Sequence, residues 1–457
     1  MTGHHEVVII GGGLSGLSCA HFLRKKHPDS NYIILEGDSR AGGAVRSHQD
    51  QGFLAEWGPH GFLDNNDASR EILEDLDMDR VAQKAPLGKF VRYVCYQGRL
   101  EQLPQNPKKL LSTPLLSPWG KLRLLGDLFI KPLEQDQTIE EWAGRRFGRE
   151  VLPLVDAAVT GTFAGDFTRL SIDAVMPGAR RLEKDAGSLL KGLLKKKKAS
   201  RDQGGKTLPA MTSFPEGMEQ LTHALAENQP IRYATEVAAV RQVDGRWQIN
   251  TDKGDYTAEK LILAIPVNAA LKLLAPFSPP LSGIPTASIV TVALGFDQGA
   301  NIPNGFGYLA PEAEQRFALG ALFSTRMFPG RAPQGKVLLE ALVGGRRHPE
   351  RLTIPDEEMV SKVYEDLRQL IDLPKPPCYS KVMRSRHSIP QLEMDHPRLL
   401  SWLEKLLPAK DGLGVCGFGW KGIGMNDMMK DARETVEKIF QQEGRPEDQP
   451  EVKPVYF

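Results

Sequence analysis

Cysteines are few in this sequence, and long apolar runs are missing. The four cysteines, Cys19, Cys95, Cys378 and Cys416, are scattered and form no C-x-x-C pair. This spacing indicates neither a disulfide framework nor a zinc site, so we expect no metal centre and a reducing, cytoplasmic compartment. No apolar run reaches the roughly 18–20 residues that span a bilayer, and the N-terminus enters a strand at once, which predicts no signal peptide.

An excess of charge of either sign is also missing. The 58 Lys and Arg residues balance 57 Asp and Glu residues, and the formal net charge is +1. This balance gives no electrostatic argument for a nucleic-acid partner. A chain of 457 residues with 41% hydrophobic residues is typical of a globular protein with two to three domains. No Ser/His/Asp or metal constellation is legible, so no catalytic side chain is predicted.

The strongest pattern that is present lies between residues 7 and 36. An apolar strand leads into a glycine turn, a helical run, a second apolar strand and the acid Glu36. In such a βαβ unit, Gly11 permits a tight turn, Gly13 lets the backbone approach a pyrophosphate, and Gly16 lets the helix pack closely. Glu36 lies 20 residues after Gly16, where a carboxylate can accept hydrogen bonds from ribose hydroxyls. The pattern predicts a dinucleotide site.

The residues after Glu36 indicate which dinucleotide binds. Arg40, the pair Gly42-Gly43 and Arg46 follow the ribose acid, and this order resembles flavoproteins that hold FAD. The physical reason is that a long cofactor runs on beyond the first βαβ unit, so backbone must approach it again. A proline turn bracketed by Gly58 and Gly61 suits a backbone that passes the flavin end of the cofactor, with an ordinary surface turn as the alternative.

The rest of the chain predicts an α/β and α+β fold. Strands at 231–240, 247–251 and 260–265 return the chain to the first sheet, and a glycine loop at 417–424 opens a final helix at 428–443. The predicted parts are a discontinuous, Rossmann-like FAD-binding domain of residues 1–89, 211–285 and 385–457, a mostly helical substrate and membrane-facing domain of residues 90–210, and a sheet-based substrate domain of residues 286–384.

Further elements follow from hydrophobic periodicity and capping residues. Thr138 with Glu141 three residues on is a capping box that opens a helix. The other predicted elements are helices over 67–82, 119–130 and 359–371, a hairpin over 90–103, and strands over 288–296, 317–323 and 336–343.

A basic cluster next to leucines lies at 189–198, where the sequence reads Leu-Leu-Lys-Gly-Leu-Leu followed by four lysines. Such a pattern is typical of a segment that rests on anionic lipid headgroups. A solvated loop is the alternative. Peripheral contact with the cytoplasmic face of a membrane is therefore one expectation for this segment.

A series of motifs spreads over nearly the whole chain. The most specific is Phe147-Gly148, followed by the segment 160–166 with its Ala-Gly-Asp end, and then Leu170-Ser171. In this order the motifs resemble the protoporphyrinogen oxidases, a family within the amine-oxidase-like FAD flavoproteins. The remaining motifs are the Arg-aromatic hairpin at 92–104, and the segments 305–309, 322–324, 328–333, 344–345 and 422–427.

The resemblance implies that the protein removes six hydrogens from a porphyrinogen and passes the electrons through FAD to oxygen, giving hydrogen peroxide. The flavin supplies the chemistry and the protein positions the ring. A flat apolar macrocycle with acidic arms needs apolar walls and at least one cation. The substrate contacts that the resemblance implies are Arg92 for a propionate, Leu309 and Phe323 around the macrocycle, and Gly165 in the backbone that lines it.

The same resemblance implies the contacts to FAD. Attachment should be noncovalent, because the loop 417–424 contains no cysteine, although Cys416 is adjacent. His60 stands where some members of the family carry arginine, and Asp395-His396 replaces a common Gly-His pair. The implied contacts are Gly11, Gly12, Gly13, Leu14, Ser15, Gly16, Glu36, Arg40, Gly43, Ala44, Gly58, Pro59, His60, Gly61, Val237, Gly417, Phe418, Ile423, Gly424 and Met425.

Three alternatives stay open at this point. A coproporphyrinogen oxidase of the same family would act on a substrate with four carboxylates. An amine oxidase or carotenoid desaturase would share the FAD fold, although the Arg92 hairpin and the Ala164-Gly165-Asp166 stretch argue against it. A flavoprotein scaffold that binds a partner is the third. The sequence also leaves a homodimer open.

Overall fold

The computed structural model describes residues 3–86, 91–202, 209–297 and 299–441. Predictions for Phe90, for residues 203–208 and for the end of the final helix beyond Gln441 lie outside these ranges. The strands are β1 Gly3–Ile10, β2 Tyr32–Leu35, β3 Ser47–Asp50, β4 Phe53–Glu56, β5 Phe62–Leu63, β6 Gln83–Pro86, β7 Arg92–Tyr96, β8 Arg99–Gln102, β9 Ala210–Ser213, β10 Ile231–Arg232, β11 Val237–Val243, β12 Arg246–Thr251, β13 Gly254–Leu263, β14 Thr286–Ala287, β15 Ile289–Phe296, β16 Gly307–Leu309, β17 Gly320–Leu322, β18 Val337–Gly344, β19 Tyr379–Arg384, β20 Ile389–Pro390 and β21 Leu413–Val415.

Among the described residues there are two seven-stranded sheets and three smaller ones, and helices pack on the two large sheets and form a layer of their own between residues 107 and 202. Short 3₁₀ helices occur at Leu125–Phe129, Arg149–Val151, Ala275–Phe277, Glu312–Glu314 and Pro349–Thr353. The α-helices are α1 Leu14–Lys26, α2 Asp67–Asp75, α3 Pro107–Ser112, α4 Pro118–Leu124, α5 Ile139–Phe147, α6 Leu152–Phe163, α7 Ile172–Val175, α8 Pro177–Ala186, α9 Leu189–Asp202, α10 Glu219–Ala226, α11 Val267–Leu273, α12 Ser324–Met327, α13 Asp356–Leu367, α14 His396–Ala409 and α15 Met425–Phe440.

The first sheet is built around β1. This strand pairs in parallel with β2 on one side and with β13 on the other, and β13 also pairs in parallel with β21. Its apolar residues are buried on both faces, as a central parallel strand requires. Val7 and Ile9 point into the core that contains α1 and α15, whereas Val8 and Ile10 point into the core that contains α11 and α14.

The element predictions near this sheet are confirmed with shorter bounds. The predicted helix over 67–82 ends at Asp75, because Asp77 adopts a left-handed φ of 54°. The predicted strand over 231–240 is divided into β10 and β11, since Ala234 has a φ of 49° between them. The capping box at Thr138 is confirmed: Glu141 N donates to Thr138 Oγ1 over 3.2 Å, and Thr138 N donates to Glu141 Oε2 over 3.0 Å.

The second sheet has the strand order β19-β15-β18-β17-β16-β7-β8. The predicted hairpin at 90–103 is present, and β7 pairs in parallel with β16. The hairpin thereby extends the second sheet, although the predicted domain boundary groups it with the helices. Helix α13 packs on one face of this sheet through Met359, Val363 and Leu367. The division into three domains stays a prediction.

Buried charges hold the helical layer together. Arg146 pairs with Asp127 and with Glu183, and all three side chains are fully buried. Arg180 Nη1 donates to Glu183 Oε2 over 3.0 Å, and Trp142 Nε1 donates to the same oxygen over 2.7 Å. Because buried charges are costly unless paired, this network fixes how the helices pack. Among the described residues, no helix combines the length and the apolarity that crossing a bilayer would need.

Candidate active site

The glycine turn after β1 is packed so tightly that side chains cannot replace two of its glycines. Gly11 has a φ of +103°, and a Cβ atom there would lie 2.7 Å from Ala264 O. A Cβ atom on Gly16 would lie 1.8 Å from Gly11 O. Helix α1 therefore starts directly against the turn that precedes it. Such close packing leaves backbone N–H groups at the start of the helix facing the edge of the sheet.

Glu36 is held in place as a carboxylate beside this turn. Its Oε2 accepts a hydrogen bond from Gly12 N over 2.5 Å, and its Oε1 accepts one from Asp38 N over 2.7 Å. Thr235 N donates to Glu36 O over 2.8 Å, which draws the segment that leads to Val237 past the acid. The carboxylate keeps further lone pairs that can accept from ribose hydroxyls.

The second glycine loop contacts the first turn through backbone. Gly42 N donates to Gly12 O over 2.8 Å, and a Cβ atom on Gly43 would lie 3.2 Å from Gly13 Cα. Arg40 organises this loop, because its Nη2 donates to Gly43 O over 2.6 Å while Nη1 pairs with Glu219 over 3.2 Å. Arg40 thus acts on the loop backbone in this structure.

The chain returns to the same edge of the sheet at its C-terminal end. Gly417 has a φ of +121°, and a Cβ atom there would lie 2.7 Å from Ile265 O. Phe418 O accepts a hydrogen bond from Val267 N over 3.0 Å. Helix α15 then starts at Met425, whose side chain is buried in the core beside α1. Ile423 and Gly424, which complete the predicted contacts of this loop, lie just before that helix.

Two long helices therefore begin at one edge of the first sheet. Helix α1 follows β1, α15 follows β21, and both strands run parallel to β13. Their N-termini offer backbone donors and a positive dipole end to phosphates. Ser15 Oγ, in the first turn of α1, is buried and has no hydrogen-bond partner among the described atoms. These donors fit a dinucleotide whose phosphates lie across the turn and whose ribose reaches Glu36.

His396, for which the sequence suggested no role, anchors the C-terminal loop. It is 1% exposed, and its Nε2 donates to Trp420 O over 2.9 Å. Burial lowers the pKa of His396, so the ring stays neutral at neutral pH.

The turn at 58–61 lies where the first segment of the chain meets the second sheet. A Cβ atom on Gly58 would lie 2.1 Å from Ala44 O, and one on Gly61 would lie 2.8 Å from Thr212 O. The turn also contains Pro59 and His60. His60 Nε2 lies 3.2 Å from Glu340 Oε1, and Glu340 belongs to β18. The predicted flavin-end turn therefore touches the sheet that the sequence assigns to the substrate.

One face of the second sheet lies opposite the face that packs on α13. Directly paired residues of neighbouring strands point to the same face, so the strand register defines the side chains there. Leu309, Leu322 and Leu342 are half-buried, and glycines separate them. We call this surface the leucine face. Its two rows are Glu340, Leu322, Gly307 and Arg92, and then Leu342, Gly320, Leu309 and Val94.

Arg92 lies at the far end of the first row from Glu340. Three strand spacings separate the two residues, roughly 14 Å in all. The Arg92 guanidinium lies 5.4 Å from the centre of the Phe306 ring. Burial lowers the pKa of this guanidinium from its ordinary value. A carboxylate that binds here would restore part of the solvation that the cation has lost.

Helix α6 borders the leucine face. A Cβ atom on Gly161 would lie 2.6 Å from Leu309 Cδ2, so the helix backbone packs on that leucine. Beyond the end of the helix, a Cβ atom on Gly165 would lie 2.7 Å from Gln391 Oε1. Leu309 therefore contacts the last turns of α6, and Gly165 follows the end of the same helix.

The prediction for Phe323 as a substrate contact needs correction. Phe323 is 0% exposed and packs with Tyr308 and Met359 in the core under α13. Its neighbour Leu322 points the other way, onto the leucine face. Sequence reasoning missed Leu322 and Leu342. The alternation of side chains along a strand was the signal, but the register needed to apply it came only with the strand pairs.

Fold and site together define a dinucleotide-binding flavoprotein. The model of the family described as "Flavin containing amine oxidoreductase" matches residues 14–390. The chain belongs to this family and is a flavin-dependent oxidoreductase.

Relatives agree over almost the whole length of the chain. It is 27% identical to coproporphyrinogen III oxidase of Bacillus subtilis, with 95% of this chain and 97% of that protein covered. It is also 27% identical to the chloroplastic protoporphyrinogen oxidase 1 of Arabidopsis thaliana, with 95% and 88% covered. Among solved structures, that of a candidate protoporphyrinogen oxidase from Exiguobacterium sp. 255-15 matches with a TM-score of 0.79 at 24% identity, covering 96% of this chain and 99% of that one.

The glycine turn gives a matched pair of variants. Gly16→Ala places a methyl group 1.8 Å from Gly11 O, whereas Gly37→Ala, beside Glu36, meets no described atom within 4 Å. We expect Gly16→Ala to lose bound flavin and about 1–3 kcal/mol of the free energy of unfolding, because α1 must move away. Visible absorbance after gel filtration and the thermal midpoint measure both effects. Full flavin content in Gly16→Ala, or an equal loss in Gly37→Ala, would contradict the role given to this turn.

Proposed function

We propose that the protein oxidises protoporphyrinogen IX to protoporphyrin IX, with noncovalently bound FAD and with oxygen as the acceptor. Removal of six hydrogens takes three two-electron steps, and each step reduces one O₂ to one H₂O₂. The observation that carries this proposal is the leucine face. Leucines and glycines alternate across it, its Glu340 end contacts the 58–61 turn, and Arg92 lies at the other end.

The residues divide the work by position. The turn 11–16, Glu36 and the loops around Gly43, Gly58–Gly61, Val237 and 417–425 hold the cofactor, which supplies the two-electron oxidation chemistry when bound. Leu309, Leu322 and Leu342 exclude water from one side of the macrocycle, and the glycines between them leave room for a flat ring. Arg92 takes a propionate with two parallel hydrogen bonds.

Noncovalent binding of the flavin is supported by the surroundings of Cys416. This thiol is 0% exposed and lies 3.6 Å from Cys19 Sγ, beneath the glycine turn. Its Cys19 neighbour and its burial raise the pKa of Cys416 well above the ordinary value. A buried, protonated thiol that faces the core is a poor partner for attachment to a flavin.

Charge around the leucine face favours the substrate with fewer carboxylates. Arg347 pairs with Asp156 over 2.7 Å and with Asp166 over 3.1 Å, and Arg346 pairs with Glu393 over 3.0 Å. These two arginines follow β18 and are already neutralised within the protein. The alternative, oxidation of coproporphyrinogen III, would bring four carboxylates to the same face.

The outer surface of the helical layer supports contact with an anionic lipid surface. Among the described residues, seven of the eleven exposed large apolar side chains lie in this layer, with Phe129 at 86% and Trp119 at 77% exposure. Lysines such as Lys108, Lys191 and Lys195 are exposed beside them. Apolar side chains that enter the headgroup region together with flanking cations suit an anionic bilayer. We propose peripheral contact at the cytoplasmic face; a homodimer stays a prediction.

Turnover with the two porphyrinogens tests the proposed reaction. We expect purified holoprotein to convert protoporphyrinogen IX with a higher kcat/KM than coproporphyrinogen III. The second substrate brings two more carboxylates to the leucine face, where Arg346 and Arg347 are already paired with carboxylates of the protein. Porphyrin fluorescence measures product, and an oxygen electrode should record about three O₂ per porphyrin, from the six hydrogens removed. Preference for the tetracarboxylate would reverse the assignment of substrate.

Arg92→Ala tests the carboxylate contact. We expect KM for the porphyrinogen to rise about 10- to 100-fold with little change in kcat, since a charged hydrogen-bond partner is lost in both ground and transition states. Arg99→Ala is the control, because Arg99 is exposed on the other strand of the same hairpin. An unchanged KM in Arg92→Ala would remove Arg92 from the site.

Added negative charge on the helical layer tests the lipid contact. The double variant Trp119→Glu, Phe129→Glu should bind about tenfold less to vesicles of phosphatidylcholine and phosphatidylglycerol in co-sedimentation, because two apolar anchors become carboxylates. Val243→Glu, the same type of change at an exposed position on β11, is the control. Equal sedimentation of the wild type and both variants would argue against this surface.

A further inference from the structure

A buried set of charges joins the flavin-end turn to the second sheet. Besides His60 and Glu340, it contains Glu56 and Arg331, which are 1% and 2% exposed. Arg331 Nη1 donates to Glu56 Oε1 over 2.6 Å, and Glu56 N donates to Glu340 Oε1 over 2.8 Å. The four side chains come from the turn, from β4, from β18 and from the segment just before β18.

The hydrogen-bond donors around both carboxylates favour their ionised forms, which for Glu56 opposes the effect of burial. Besides Arg331, Glu56 accepts from Ser47 Oγ over 2.6 Å and from Met218 N over 3.1 Å. Glu340 accepts from Ser324 Oγ and from the backbone of Glu56. With two carboxylates and one guanidinium, the set carries one excess negative charge unless His60 is protonated. Because an uncompensated buried charge is costly, protonation of His60 balances the set.

The electrostatics of the His60–Glu340 pair agree with this balance. Burial opposes protonation of His60, but the charges of Glu340 and Glu56 outweigh both it and the repulsion from Arg331, so the pKa of His60 lies above its ordinary value. Burial raises the pKa of Glu340, but the charge of His60 and the hydrogen bonds from His60, Ser324 and Glu56 N together outweigh burial and lower it. Burial raises the pKa of Glu56, and the charge of Arg331 opposes that shift.

The His60–Glu340 pair lies between the 58–61 turn and the leucine face. Glu340 opens the row of the leucine face that ends at Arg92, and His60 belongs to the turn at the flavin end. The Nε2 atom of His60 is buried against Glu340, while the side chain as a whole is 16% exposed. One edge of the ring therefore lies against the carboxylate, and part of the rest of the ring is exposed.

We propose that Glu340 is a positioning residue that keeps His60 as an imidazolium beside the flavin, and that this cation sets the reduction potential of the flavin. The inference rests on the proposed function for the place of the flavin at the 58–61 turn. Two-electron reduction at neutral pH adds negative charge to a flavin, and a nearby cation favours the reduced state. Protonated His60 therefore raises the potential. As pH rises through the pKa of His60, the cation is lost, and the potential falls with pH more steeply than it does below that pKa.

Spectroelectrochemical titration of the holoprotein at several pH values tests this without any substrate. The wild-type potential should show a break above pH 6.5, the ordinary value for histidine. Glu340→Gln should move the break to lower pH, because the burial of His60 is then less well compensated. His60→Gln should abolish the break. At acidic pH it should also lower the affinity for reduced flavin, relative to the affinity for oxidised flavin, at least about fivefold.

Two further variants keep the result decisive. His60→Arg retains a cation that does not titrate, so it should abolish the break and extend the acid-side slope of potential against pH over the whole range. Glu314→Gln, at the distant β7–β8 turn where Glu314 accepts from Gln97 N over 2.8 Å, should behave as wild type. The inference is overturned when His60→Gln and His60→Arg both keep their flavin and give the wild-type potential at every pH. A protein that binds flavin and shows the break, but does not oxidise either porphyrinogen, would contradict the proposed function and leave the inference about His60 standing.

Discussion

The parallel pairing of β1 with β13 is the constraint on which the rest of the structure depends. His4 and Thr257, which face each other in this pairing, are 253 positions apart in the chain. The pairing places Ala264 and Ile265 against the glycine turn, where their atoms occupy the space that a side chain on Gly11 would need. On the other side of β13, β21 pairs in parallel and brings the N-terminus of α15 to the same end of the sheet as that of α1.

The two faces of the second sheet are packed in different ways. The side chains of one face are buried against α13. On the other face, leucines stay half-buried beside α6. Hydrogen bonds among the buried charges Glu56, Arg331 and Glu340 join the leucine face to β4, the strand that precedes the 58–61 turn. The turn and the leucine face are thereby held in one fixed relation.

Much of the fold could be read from the sequence because its signals are local. The βαβ unit, the hairpin turn at Gly98 and the capping box at Thr138 each depend on residues only a few positions apart. The sequence did not predict the early ends of α2 and β10. Asp77 and Ala234 adopt left-handed backbone conformations there, and neither residue is a glycine, which is the usual signal for such a conformation.

Non-local features could not be read in the same way. Motif matching placed Phe323 at the substrate, but which of two adjacent residues faces the cleft depends on strand register, and register depends on partners far along the chain. The same limit applies to His60 and Glu340, which belong to different motifs and meet only in the folded protein. A buried glutamate in the middle of an apolar strand was the one available hint that such a partner exists.

The strict alternation in β16, β17 and β18 has a consequence for how this chain can vary. Insertion or deletion of a single residue inside any of these strands would rotate its side chains by half a turn, so that leucines of the cleft would enter the dry core and core aromatics would face water. In β18 the same change would place the Glu340 carboxylate in the core under α13. His60 and Arg331 could not reach it there, because they lie on the other face of the sheet. Changes of length are therefore confined to the connecting loops, and the strands can diverge only by substitution.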